Sequence, residues 1–229
     1  MASSIRRPAL GLIRRNCFSR NLSGARAKGY NWYKIQKRKQ AREAAQPDPD
    51  SLPPSHWLPE NPTDQPRTRA YFEFSQLGKT LGTVEIELLS DLLPTTTENF
   101  VTLCKEKYSG TRVHAIVPDV GICAGDHVAH DGTGGCSALG EGEDKIFFED
   151  EAFLMRHGRG TVTMLNQGVD TNNSQFCITT RTSPQLDGRN VAFGAVVEGM
   201  DIIEKMHDLY TFKMVPSDDI VISDCGVRE

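Results

Sequence analysis

Residues 160–180 read GTVTMLNQGVDTNNSQFCITT, and the fold turns on how this stretch divides. GTVTML (160–165) and QFCITT (175–180) are short runs rich in β-branched and apolar residues, while the segment between them is built from Asn, Gly, Asp and Ser. Those residue types tolerate turn conformations, so two short strands joined by a loop are predicted. The same texture recurs at RVHAIVP (112–118), GICAG (121–125), NVAFGAVV (190–197) and DIVISDC (219–225). Upstream, AYFEF (70–74) and TVEIELL (83–89) alternate apolar and polar positions around the Gly-bounded LGKTLG (77–82), which predicts a β-hairpin.

Two segments carry a helical period instead. LLPTTTENFVTLCKEKY (92–108) has a Pro and Thr start, Glu98 placed in the first turn, and Phe100, Leu103 and Cys104 at helical spacing. MDIIEKMHDLY (200–210) sets Ile202, Ile203, Met206 and Leu209 or Tyr210 on one face, with Gly199 marking its start. About eight short strands and two helices in roughly 160 residues predict an all-β fold, an antiparallel barrel closed by two capping helices.

With 229 residues, 38% of them hydrophobic, the chain can bury one sizeable core. It contains no apolar run of 18 residues, so no transmembrane helix is expected. The net charge of −4 conceals a division: residues 1–42 hold 12 Lys and Arg with no acidic residue before Glu43. The remainder carries 14 basic against 30 acidic side chains. Such a body repels phosphates over a Debye length of about 8 Å, so nucleic acid is not an expected partner.

The opening stretch MASSIRRPALGLIRRNCFSRNL is Arg-rich, Ser-bearing and amphipathic, the character of a mitochondrial transit peptide over residues 1–22. RNLS (20–23) resembles a matrix-processing site, which points to the matrix. Residues 23–46 include GYNWYKIQKRKQAREAAQ, a basic arm with helical propensity, and 47–69 form a linker whose first 20 residues hold 7 of the chain's 12 prolines. Trp57 and Leu58 are large apolar residues in that linker, expected to strap onto the domain or to bind a partner. The domain itself is placed at 70–229. None of the six cysteines forms a CxxC motif, and a chain this long needs no disulfide scaffold, so reduced and mostly buried thiols are expected.

Read in order, TVEIEL, PTTTENFVTLC, HAIVP, GTGG, FEDEAF, the 160–180 stretch, LDGRNVAFGAVVEGMDIIEKM and SDCG resemble the cyclophilins over residues 71–229. The resemblance implies an eight-stranded antiparallel barrel with two capping helices. It also implies an outer-face groove for X-Pro peptides and peptidyl-prolyl cis-trans isomerase activity without cofactor or metal. That reaction rotates an amide across a barrier of about 18–20 kcal/mol and breaks no bond. It needs an apolar slot for the proline ring and preorganised donors that favour the twisted amide.

The matching positions depart from that chemistry. The family's chief donor is an arginine directly after the His of HAIVP, and here that position is Ala115, beside His114. The Phe and Met that line the proline slot are replaced by Val120 and Gly121, and the supporting Gln by Cys123. The apolar wall residue after SQF is Cys177, the family's Trp is Gln185, and the His that closes the groove is Asn190. Asn166, Gln175, Phe176 and Leu186 follow the family pattern and are expected at the groove edges.

Losing one preorganised donor costs about 2.7–4 kcal/mol in the transition state. The expectation is therefore a degenerate cyclophilin that binds protein or X-Pro segments in mitochondria, docked in a complex through residues 23–66. The alternative is an active isomerase assisting protein folding there. Restoring activity is expected to require Ala115→Arg together with Val120→Phe, Gly121→Met and Cys123→Gln. His114, Cys123, Asp126, His127, His130 and Cys136 crowd one stretch, but their spacing matches no standard zinc motif, so no metal site is assigned.

Overall fold

The computed structural model describes Pro59, Asn61, residues 66–139 and residues 146–228. The expected transit peptide, the basic arm, and Trp57 with Leu58 lie outside the described residues. Strands β1 (Arg69–Gln76) and β2 (Lys79–Leu88) form the predicted hairpin, and helix α1 (Pro94–Glu106) follows. Then come β3 (Ala115–Val117), β4 (Gly121–Ala124), β5 (Thr161–Met164), β6 (Phe176–Thr179), β7 (Ala192–Glu198) and helix α2 (Met200–His207). A small hairpin, β8 (Thr211–Phe212) with β9 (Val215–Pro216), precedes the last strand, β10 (Ile220–Arg228).

Eight strands make one antiparallel sheet in the order β10-β1-β2-β7-β5-β6-β4-β3. The sheet curls until its two edges meet. Arg112, just before β3, bridges to Val221 of β10, with the Val113 amide donating to the Ile220 carbonyl at 2.9 Å. That contact removes the exposed strand edge that would otherwise invite association.

Inside, Phe72, Phe74, Phe100, Tyr108, Phe176 and Phe193 pack ring against ring, centroids 4.8 to 6.3 Å apart where they touch. Tyr108 is fully buried, and its hydroxyl donates to the Ser174 carbonyl at 2.6 Å, so the polar tip is satisfied. Helix α1 buries Phe100, Leu103 and Cys104, and α2 buries Ile202, Ile203 and Met206, the faces read from their periodicity. Tyr210 differs: α2 ends at His207, and Tyr210 lies 74% exposed beyond it.

The start of α1 also differs from expectation. Glu98 is the fifth helical residue, and the first turn holds no acidic side chain. The carboxylate that meets the free amides comes from Glu151, which accepts from the Thr95 and Thr96 amides at 3.0 and 2.8 Å and from the Thr96 hydroxyl at 2.7 Å. An anion at a helix N-terminus satisfies orphan donors and complements the macrodipole, whichever segment supplies it.

Arg67 anchors the end of the linker. Its guanidinium donates to both Asp91 oxygens at 2.8 and 2.9 Å and to the Pro59 carbonyl at 2.7 Å. Both side chains of the pair are nearly buried. Burial raises the Asp91 carboxyl, and the Arg67 hydrogen bond and charge together with backbone hydrogen bonds outweigh it, leaving Asp91 below the ordinary carboxylate range.

Candidate functional site

Strand register assembles the site. Ala115 of β3 faces Cys123 of β4, Cys123 faces Cys177 of β6, and Cys177 faces Thr163 of β5. The intervening row, Ile116, Ile122, Ile178 and Val162, is buried in the core. Alternation along a strand therefore sets Ala115, Cys123, Cys177 and Thr163 on the outer face of the barrel. Phe176 obeys the same alternation and so corrects an expectation. It is not a groove-edge residue: its ring lies in the core against Phe72, Phe100 and Tyr108.

The row holds little that could polarise an amide. Ala115 is a half-buried methyl, and Cys123 and Cys177 are buried thiols, weak donors at best. The Cys177 thiol is hydrogen-bonded with Cys123; that contact and its burial push it well above the ordinary thiol range. Thr163 gives its hydroxyl proton to the Val191 carbonyl at 3.1 Å and lies 2.9 Å from His157 Nε2. His157 Nδ1 is in turn 2.8 Å from Asp187 Oδ1. The hydroxyl, imidazole and carboxylate resemble a nucleophile triad, yet all three are buried and the hydroxyl proton is committed elsewhere. They brace the sheet from outside. His157 and Asp187 are 30 residues apart in sequence, and neither sits in a motif that announces the pairing.

Gly121 adds a second correction. A Cβ built there would overlap the Ile178 carbonyl oxygen and come within 2.8 Å of Thr179 Cα. Backbone of β6 fills the space, so Gly121→Met cannot rebuild an apolar slot without moving a strand. Val120 is half-buried, and its carbonyl accepts from the Thr180 amide at 2.8 Å.

Several of the remaining expected residues bond to the backbone frame. Gln175 donates through Nε2 to the Gly132 and Gly134 carbonyls at 3.1 and 2.7 Å. Asn190 donates to the Met164 carbonyl at 2.9 Å, and Asn166 to the Arg189 carbonyl at 2.8 Å. Gln185 is exposed and Leu186 half-buried on a 3-10 turn, Pro184–Leu186. His114 is buried against Gly132, where a Cβ would meet its Cδ2 at 2.7 Å, and its Nδ1 has no partner. Burial lowers the His114 imidazole, against the opposing pull of Asp126 and Asp131.

Asp126 organises the glycine loop. Oδ1 accepts from the Val128 and Ala129 amides at 3.1 and 2.9 Å, and Oδ2 from the Gly132 and Gly134 amides at 2.9 and 3.0 Å. Burial alone would raise this carboxyl; the four backbone donors overcome it and hold Asp126 below its usual range. Asn99 of α1 joins the loop to the 172–174 segment, donating to the Asn173 carbonyl and accepting from Ser137 and Ala138. The crowd of His, Cys and Asp in sequence is thus spread over separate tasks. Among the described residues no three such groups are arranged to hold a metal ion.

The described domain is thus one curled sheet of eight antiparallel strands with two helices packed on it. The family model of the cyclophilin type peptidyl-prolyl cis-trans isomerase/CLD matches residues 71–227. The chain belongs to that family, whose members bind proline-containing peptides. Among the described residues, no helix is long and apolar enough to cross a membrane.

Proposed function

We propose that this chain is a degenerate cyclophilin, a protein-binding or assembly module of mitochondria with little or no isomerase activity. The observation that carries the reading is the row Ala115, Cys123, Cys177, which presents a methyl and two facing thiols where catalysis of amide rotation needs a strong, fixed donor. Gln175, Asn166 and Asn190 do not replace that donor: Gln175 spends both amide hydrogens on backbone carbonyls, Asn166 and Asn190 each spend one of two, and all three are neutral amides rather than a charged guanidinium. Mitochondrial placement is supported by the Arg-rich, acid-free opening of the chain, and matrix by RNLS at 20–23. Docking through residues 23–66 is supported by the basic arm joined to an acidic body, and by the Arg67 clamp that ends the tether at Pro59.

The test is an NMR exchange or protease-coupled assay of the full chain on an X-Pro peptide, with the uncatalysed rate as baseline. Rates near that baseline are expected. A kcat/KM within about tenfold of the ~10⁴ to 10⁸ M⁻¹s⁻¹ enzyme range would establish an active isomerase instead. Deleting residues 1–22 should leave the protein in the cytosol, and persistence in mitochondria would refute the targeting claim.

A further inference from the structure

The two thiols at the centre of the row are more than small replacements. Cys123 and Cys177 stand directly opposite each other on antiparallel strands. The Thr180 amide bonds the Val120 carbonyl, which makes that pair hydrogen-bonded and, by alternation, leaves Cys123 and Cys177 as a non-hydrogen-bonded pair. Consistently, the Cys123 carbonyl accepts from His114, away from β6. In such pairs the Cα atoms are about 4.5 Å apart with side chains converging, inside the roughly 4.4–6.8 Å span of disulfides. Both cysteines are free, and each thiol has the other as its neighbour.

We propose that Cys123 and Cys177 form a reversible dithiol–disulfide pair on the outer face of the barrel, oxidised by a hydroperoxide that reaches Cys123 first. Cys123 retains 4% exposure and adjoins half-buried Ala115, whereas Cys177 is fully covered. The Cys123 sulfur attacks the terminal peroxide oxygen, the O–O bond breaks, and the departing alkoxide takes the thiol proton to leave as an alcohol. Cys177 sulfur then attacks the resulting sulfenic sulfur, the S–O bond breaks, and hydroxide leaves with the Cys177 proton as water. Two thiols and one hydroperoxide become one disulfide, one alcohol and one water, a two-electron exchange. The bond ties β4 to β6 across the row, so the oxidation state is written into the face that the family uses for peptides.

The experiment treats the full chain with graded hydrogen peroxide, blocks remaining thiols with N-ethylmaleimide after denaturation, and maps unreduced peptides by mass spectrometry. The expected product joins the Cys123 and Cys177 peptides with loss of two hydrogens, and dithiothreitol restores both thiols. Cys177→Ser should abolish the link and leave a dimedone-reactive sulfenic acid at Cys123. Wild-type mapping carries the result even where that variant folds poorly. Cys104 and Cys225, whose Sγ donates to the Cys104 carbonyl at 3.2 Å, are the internal comparison. A link confined to Cys104 and Cys225 would overturn the proposal. So would full alkylation of Cys123 and Cys177 at doses that oxidise half-buried Cys136. Neither outcome depends on whether the outer face binds peptide.

Discussion

The glycine loop around Asp126 and the row of Ala115, Cys123 and Cys177 both grow from β4, yet they have opposite characters. In the loop one carboxylate satisfies four backbone amides. In the row stand a methyl and two thiols, at positions where the resemblance implies an arginine, a glutamine and an apolar wall. The difference lies in whom each group serves. Asp126 serves the fold: removing it would strand four part-buried backbone donors of the loop. A catalytic donor serves the ligand, and its loss leaves no orphan in the protein's own structure. Such a domain can therefore keep its shell while losing its chemistry.

The sharpest way to break this comparison is Asp126→Ala. It should cost on the order of 4 kcal/mol in urea denaturation, because several charge-assisted hydrogen bonds vanish together. A loss below about 1 kcal/mol would mean the loop is as dispensable as the row.

Gly121→Ala comes next, at about 3 kcal/mol, since its Cβ meets β6 backbone rather than a pliable side chain. Near-neutral stability there would show that β4 and β6 can part, and that the slot could be rebuilt after all.

A pH series separates the groups by sign. His114 and His127 have imidazoles lowered chiefly by burial, so the unfolded chain takes up their protons first. Stability should begin to fall as pH drops through about 6.5. Asp91 and Asp126 are lowered by Arg67 and by backbone amides despite burial, so their contribution is present above about pH 4 and lost as pH falls through their folded values. Thermal unfolding from pH 8 to 3 should show both declines, and an Asp126→Asn variant should lose part of the second.

Ala115→Arg should have the smallest effect, a stability change within about 1 kcal/mol at a half-buried position. Its isomerase rate should stay near that of the unmodified chain, because one donor cannot act on a proline ring that nothing holds. A large gain from this single change would place the whole defect at Ala115.

Much of the frame was legible because periodicity is a local property. Alternation marked the strands, and the 3.6 period marked the faces of α1 and α2. The β8–β9 hairpin escaped because its turn is made by Lys213 and Met214, both at positive φ, where Gly or Asn would have signalled it. Phe176 was misplaced because resemblance supplies neighbours along the chain, whereas alternation decides which face each side chain takes. Ala115, Cys123 and Cys177 could be read as losses from sequence, but their alignment in one row depends on register between strands far apart in the chain.

By itself the sequence determined the strands, the helical faces, the charge division between arm and body, and the small residue Ala115 directly after His114, since each is encoded within a few adjacent residues. Tertiary structure alone decided that Glu151 caps α1, that His157 braces Thr163 through the support of Asp187, that β6 backbone fills the space beside Gly121, and that two cysteines 54 positions apart face each other. Those are contacts between distant segments, and no local pattern reports them, because packing and strand register arise only when the barrel closes.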